Sequence, residues 1–155
     1  MKKKIAAVLL AAVLCLSLSA CGKVSDDKGS SADGYTADEL KAKSDAVKVL
    51  SEWYDLMNEA KYSEAVKLMT PEYAASTGYD QLTDGEVIRT VAYEIIDDGI
   101  MLSMDTDGNL VAETEVDLVL SDDPENKHET FLFVTCYKTG ALISGDAATY
   151  AEAPQ

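Results

Sequence analysis

The chain has 155 residues, about one domain's worth, with 28 acidic against 13 basic side chains and a formal net charge of −15. That excess excludes a protein that tracks nucleic-acid phosphates, which needs clustered Lys and Arg, and excludes a polybasic clamp on anionic lipid. It permits a soluble acidic surface that attracts cations or basic partners weakly.

The first twenty residues have three parts. Lys2, Lys3 and Lys4 give a positive start, Ile5 to Leu16 is wholly apolar, and Leu18-Ser19-Ala20-Cys21 closes the segment with small residues. This is the grammar of a secretory signal peptide, and the apolar run is too short for a spanning helix. The L-S-A-C closure, followed by Gly22, resembles the lipobox of bacterial lipoproteins. The resemblance implies cleavage before Cys21, thioether-linked lipid on its sulfur, and a place on the extracytoplasmic face of the cell membrane. Each buried methylene of such a lipid contributes about 0.8 kcal/mol, so several acyl chains anchor durably where one holds marginally. Acylated proteins of this composition suit a Gram-positive surface, though neither a Gram-positive nor a Gram-negative host follows from the sequence.

Loss of residues 1–20 removes three of the 13 basic side chains and leaves a mature charge of −18. It also removes Cys15; with Cys21 lipidated, Cys136 has no thiol to pair with, and the domain must rest on its core. Residues 21–35, rich in Gly, Ser and Asp, read as a lipidated N-terminus and flexible tether, roughly 20 Å in average reach. The folded domain is expected over 36–149, long enough to bury about two-thirds of its unfolded surface, and 150–155 form a tail.

Thr36 with Glu39 makes a capping box, and Tyr35 with Leu40 occupies the hydrophobic-staple positions, so a helix is expected to start near Thr36. Ser44-Asp45 offers a second possible start. Ala46, Val49, Trp53, Leu56 and Ala60 fall on one row, and Val47, Leu50, Tyr54 and Met57 on the next. Together they give an apolar face broad enough to lie across a sheet. A second helix is expected from Ser63, as cap, to Met69. Thr70-Pro71-Glu72 places a cap, a helix-starting proline and a first-turn acid before a short third helix that ends near Gly78.

After Gly85 the period becomes strand-like. Glu86 to Ile96 is β-rich, Asp97-Asp98-Gly99 reads as a turn, Ile100 to Met104 as another strand, and Asp105 to Asn109 as a hairpin tip. From Leu110 to Leu120, Leu110, Ala112, Thr114, Val116, Leu118 and Leu120 alternate with a mostly acidic set, predicting a sheet with one packed and one wet side. Ser121 to Lys127 reads as a polar loop, Glu129 to Lys138 as a strand apolar on both faces, and Ala141 to Gly145 as the last strand.

Helices followed by antiparallel strands predict an α+β domain, helices on one face of the sheet. V-L-S-E-W-Y-D-L-M-N-E-A-K-Y-S-E-A-V-K-L-M-T-P-E-Y (Val49 to Tyr73) resembles the opening of the nuclear-transport-factor-2-like superfamily. The meander from Glu86 to Leu120 is similar to that superfamily's curved sheet. F-V-T-C-Y-K-T-G-A-L-I-S-G (Phe133 to Gly145) is similar to its closing hairpin, with Ala141 or Leu142 where a Trp is usual. The resemblance implies a long helix wrapped by a bent sheet, a cone that often holds a pocket. It also implies either a non-enzymatic binding or assembly module or an isomerase, cyclase or dehydratase with an Asp acid/base. A cystatin-like helix-on-sheet fold fits the same order of elements.

The residues offer little catalytic apparatus. His128, within P-E-N-K-H-E-T, reads as an exposed loop histidine; catalysis would require it to face a perturbed carboxylate inside the cone. Cys136 alternates with Leu132 and Val134 and reads as a buried structural thiol. Asp105-Thr106-Asp107-Gly108-Asn109 begins like a calcium loop, but Leu110 and Val116 stand where Gly and Glu are needed, so a glycine turn explains it. Trp53, Tyr54, Tyr93, Phe133 and Tyr137 read as core or as the lining of a pocket suited to a small hydrophobic or peptide ligand. The expectation is a membrane-anchored, extracytoplasmic, non-catalytic binding or assembly module without cofactor or metal. Its partners are the membrane, through the lipid, and an envelope protein or small ligand; nucleic acid is excluded. A small-molecule isomerase, cyclase or dehydratase is the alternative.

Overall fold

The computed structural model describes residues 34–85 and 90–147. The expected signal peptide, Cys21, most of the tether, the first residues of the strand expected from Glu86, and the tail lie outside them. Helix α1, Ala37–Asn58, opens with the capping box. The Thr36 hydroxyl accepts the Glu39 N–H at 3.3 Å, and the Glu39 carboxylate accepts the Thr36 N–H at 2.7 Å, satisfying two donors that helix geometry leaves unpaired. The Thr36 N–H and the Thr36 hydroxyl, both donating to the Glu39 carboxylate, hold it below its ordinary pKa.

At the staple positions Leu40 is 40% exposed, and the Lys43 ammonium sits 4.0 Å above the Tyr35 ring. Nor does the helix restart at Ser44-Asp45, because Asp45 is engaged by Lys41 one turn earlier and the helix runs through unbroken. The two expected apolar rows merge into one strip. Ala42, Ala46, Leu50, Trp53, Tyr54 and Met57 are buried, while Val47, Val49, Leu56 and Ala60 pack along its rims.

The expected second helix is one turn of α-helix, α2, Tyr62–Ala65, followed by a 3-10 turn, Val66–Leu68. Ser63 caps nothing; its N–H and hydroxyl donate to the Asp84 carboxylate at 2.8 and 2.7 Å. The helix is cut short because Met69 leaves it to bridge Ile143 in parallel, and the Thr70 N–H donates to the Ile143 carbonyl at 2.8 Å. Sheet pairing overrides local helix preference here. Helix α3, Pro71–Thr77, has the expected ends: the Thr70 hydroxyl accepts the Tyr73 N–H, and Gly78, at φ 75°, takes the left-handed turn that stops the helix. A 3-10 turn, Tyr79–Gln81, follows.

Four strands form an open antiparallel sheet in sequence order: β1 Thr90–Met104, β2 Leu110–Leu120, β3 Asp123–Tyr137 and β4 Gly140–Asp146. With helices packed against it, this is an α+β fold. Two expectations are corrected. Asp97-Asp98-Gly99 is a bulge inside β1, since both sides pair with the same strand, Ile96 with Glu115 and Met101 with Glu113. Ile100, buried at 3% exposure, pulls the chain back to the core side beyond the bulge. The expected loop from Ser121 to Lys127 shrinks to Ser121-Asp122. Its remainder is the start of β3, which extends past the core and needs no apolar side chains there. Lys127 holds this extension by bonding Glu94 and Asp117, each at 3.0 Å.

The strip on α1 lies across the inner face of the sheet. Ile100, Ala112, Val116, Leu132, Val134 and Ile143 meet Ala46, Leu50, Trp53, Tyr54 and Met57 in one core. Each fully buried Leu, Ile or Val there contributes about 1.5–3 kcal/mol of transfer free energy.

Candidate functional site

The last turns of α1 carry Trp53 and Tyr54 over the sheet, and α3 with the following 3-10 turn brings Tyr73 and Tyr79 against them. The rings stand nearly at right angles. Trp53 and Tyr54 have centroids 4.8 Å apart and planes at 76°; Trp53 and Tyr79 have centroids 5.5 Å apart and planes at 89°. Leu118, Thr130, Leu132 and, at the end of β4, Asp146 complete with them the lining of a partly open pocket of about 150 Å³. The Tyr73 hydroxyl donates to Asp146 Oδ2 at 2.9 Å. Trp53 is 6% exposed, and its buried Nε1–H has no hydrogen-bond partner among the described residues. A buried donor left in that state costs about 1–3 kcal/mol.

Burial holds the Tyr54 hydroxyl well above the ordinary phenol range. It does the same for Tyr73, where the bond to Asp146 and that carboxylate's charge add to the effect. Tyr79 moves the same way, by burial first and the Asp146 charge second. All three therefore stay protonated at neutral pH, as hydrogen-bonding groups rather than phenolate bases.

Of the residues expected to line a pocket, the structure brings Trp53 and Tyr54 together around the cavity. Tyr93 lies behind them, stacked on Tyr54 at 4.8 Å and 20°, its hydroxyl held by the Ser51 carbonyl at 3.1 Å and the Asp55 carboxylate at 2.7 Å. Phe133 alternates with the buried Leu132 and Val134 and so points to the sheet's other face, paired with Glu113. Tyr137, 37% exposed, lies at the opposite end of the molecule. There a wider cleft of about 370 Å³ is lined by Ala42, Asp45, Cys136 and Tyr137 among others. It is open; in it Lys41 pairs with Asp45, and the Cys136 thiol, its pKa pushed up by burial, donates to the Ala42 carbonyl at 3.6 Å.

His128 Nε2 lies 2.8 Å from Asp123 at the start of β3, a half-exposed pair outside the cavity lining. The Asp105 carboxylate accepts the N–H groups of Asp107 and Asn109 at 2.9 and 2.8 Å and the Asn109 amide at 2.9 Å, while Gly108 takes φ 81°. The turn thus uses up the carboxylate that resembled a calcium ligand. Glu115, Asp117 and Glu129 bring carboxylate oxygens within 4.8 Å of one another on the outer face of the sheet, and Lys127 already supplies a cation to Asp117.

The residues that sequence reasoning passed over are Tyr73, Tyr79 and Asp146. Tyr73 is legible only as a position in a short helix, and the chain separates it from Asp146 by 73 residues. Only the return of β4 beside Met69 joins them. Compared with known proteins, the chain matches no family model, no curated protein and no solved structure. Among the described residues, no helix is long and apolar enough to cross a membrane.

Proposed function

We propose that the chain is a bacterial lipoprotein whose domain, tethered outside the cytoplasmic membrane by lipid on Cys21, binds a small ligand without transforming it. In this reading the sheet curls about α1 as a cone of the nuclear-transport-factor-2-like kind, and the cavity beside Trp53 is its binding site. The observation that carries the reading is that aromatic pocket: about 150 Å³ of space lined by Trp53, Tyr54, Tyr73 and Tyr79. Protonated tyrosines suit holding a ligand, and His128 and Cys136, the chain's residues of choice for proton or acyl transfer, are engaged elsewhere.

The Lys2–Cys21 segment supports the location. Metabolic labelling with a radioactive fatty acid tests it: the wild type takes up label and Cys21→Ala does not, and equal labelling refutes the anchor. For the site, native mass spectrometry of the chain purified from envelope is expected to release a small molecule that Tyr73→Phe retains poorly. A chain that purifies empty and is stabilised by no envelope metabolite refutes it.

The Tyr73–Asp146 bond favours one other reading, a cone enzyme with Asp146 as acid/base. If the released molecule comes back chemically altered after incubation with the protein, and Asp146→Asn abolishes the change, that reading replaces the first.

A further inference from the structure

We propose that the outer face of the sheet, turned away from α1, docks an extended basic segment of a partner protein carrying Arg or Lys at alternate positions. This surface is separate from the Trp53 pocket and does not depend on it. The strand register lays out its side chains in cross-strand rows. Met101, Glu113 and Phe133 form one row and Ile96, Glu115 and Phe131 the next, so each time a carboxylate on β2 stands between apolar side chains of β1 and β3. Met101 is 58% exposed, and the other five are half-buried. The third row, Glu94, Asp117 and Glu129, is entirely acidic.

Like charges directly opposite one another across strands are destabilising, and a carboxylate flanked by apolar groups gives up part of its hydration. The chain answers this once. Lys127 reaches from β3 to bond Glu94 and Asp117, each at 3.0 Å, laying a cationic side chain over the acidic row. No described basic side chain does the same for Glu113 or Glu115. A partner's Arg or Lys completes the pattern: its methylenes cover the flanking apolar side chains while its head meets the carboxylate. Arg suits the place better, since its guanidinium is weakly hydrated and grips a carboxylate through two N–H groups. Glu113, Glu115 and Asp117 lie two residues apart on one strand, which spaces them roughly 7 Å, the repeat of alternate side chains in another extended chain. A second copy of this chain, at −15, is disfavoured because it would set carboxylates against carboxylates.

The full-length chain in maltoside micelles is titrated with the peptide acetyl-T-R-T-R-T-R-T-amide, followed by calorimetry and amide NMR. Saturable binding is expected, with signals moving at Ile96, Glu113, Glu115 and Phe131; no binding, or shifts elsewhere, overturns the proposal. Glu113→Gln with Glu115→Gln is expected to weaken binding about tenfold, the loss of two partly buried ion pairs. Glu52→Gln with Glu72→Gln removes the same charge from α1 and α3 and is expected to change affinity by less than about twofold. Equal losses would mean that the peptide answers only the overall field of the chain, and overturn the site. Met101→Ser keeps every charge and is expected to weaken binding about threefold through lost apolar cover. No loss there reduces the face to bare charge and overturns it. Displacement of the peptide by an equal concentration of magnesium makes the face a metal site, and dimers that the peptide dissociates make it a self-contact; either result overturns the proposal.

Discussion

The two ends of α1 lie on the same sheet yet are finished differently. At its C-terminal end Trp53, Tyr54 and Met57 are roofed by α2, α3 and the 3-10 turn at Tyr79, and the result is a small, partly open aromatic pocket. At its N-terminal end Ala42 faces Cys136 and Tyr137 with no further layer among the described residues, and the cleft there is wide, open and rimmed by Lys41, Asp45 and Lys138. What separates them is chain order. The short helices follow α1 directly and are pinned at its C-terminal end, where Met69 bridges Ile143, Ser63 binds Asp84, and the Gly85 N–H donates to the Ala60 carbonyl at 2.9 Å. A helix on a sheet makes a core; short helices over one end make a pocket.

The comparison breaks first at its shared middle. Leu50, fully buried between the two ends, contacts the sheet through which both are held. Leu50→Ala is expected to cost about 2–5 kcal/mol, read as a lowered denaturant midpoint, and to loosen both ends together. Tyr73→Phe should act on one end only. It removes a hydrogen bond to a carboxylate and costs about 1.5–3 kcal/mol. It also changes the pH profile. The hydroxyls of Tyr54, Tyr73 and Tyr79 are raised on folding, so the stability they contribute is fully present below the unfolded tyrosine pKa of about 10. Above it the unfolded chain releases protons that the native chain keeps, and stability falls as pH rises. Melting temperatures measured between pH 8 and 11.5 should drop steeply above 10 in the wild type and less steeply in Tyr73→Phe. Equal slopes would mean that Tyr73 titrates as an exposed phenol.

The contrast between the ends also explains what could be read from the letters. The capping box at Thr36, the strip from Ala46 to Met57, the Thr70-Pro71 start, the Gly78 stop and the alternation from Leu110 to Leu120 are local patterns. Each follows from helix or strand period and appears in the structure where the spacing puts it, save that Val111, on the side expected to be wet, is also buried. Three features misled because a distant partner decided them. The helix after Ser63 is broken by Ile143, the Asp97-Asp98-Gly99 turn is flattened into a bulge by continued pairing with β2, and the polar start of β3 stays in register because Lys127 ties it to its neighbours. The site shows the same division. Trp53 and Tyr54 were legible because they share the helix's buried face. Tyr73, Tyr79 and Asp146 were not, since only the closing of β4 beside Met69 brings them together. Phe133 and Tyr137 were aromatic and nearby in sequence, but strand alternation turns Phe133 to the other face, and Tyr137 sits at the other end.

The smallest effects sharpen the account of how the lid is hung. Thr70 caps α3 and is itself 7% exposed, so Thr70→Ala should cost about 1 kcal/mol and loosen the enclosure without touching the N-terminal cleft. Hydrogen exchange resolved by segment checks this: Tyr73 to Tyr79 should exchange faster and Ala37 to Ala46 should not. Ala60 gives the opposite sign. It is the non-glycine residue at positive φ among those described, at 54°, just beyond the C-cap of α1 where left-handed backbone turns the chain into α2. An L side chain there carries a penalty that glycine does not. Its methyl packs only at the rim of the core, so little burial is lost on removing it. Ala60→Gly is therefore expected to stabilise the protein by about 0.5–1 kcal/mol, despite adding a flexible residue to the unfolded chain. A lowered melting temperature would show instead that the methyl's contact under the lid outweighs the backbone strain, and that the enclosure is held by packing at the hinge as well as by the bonds that span it.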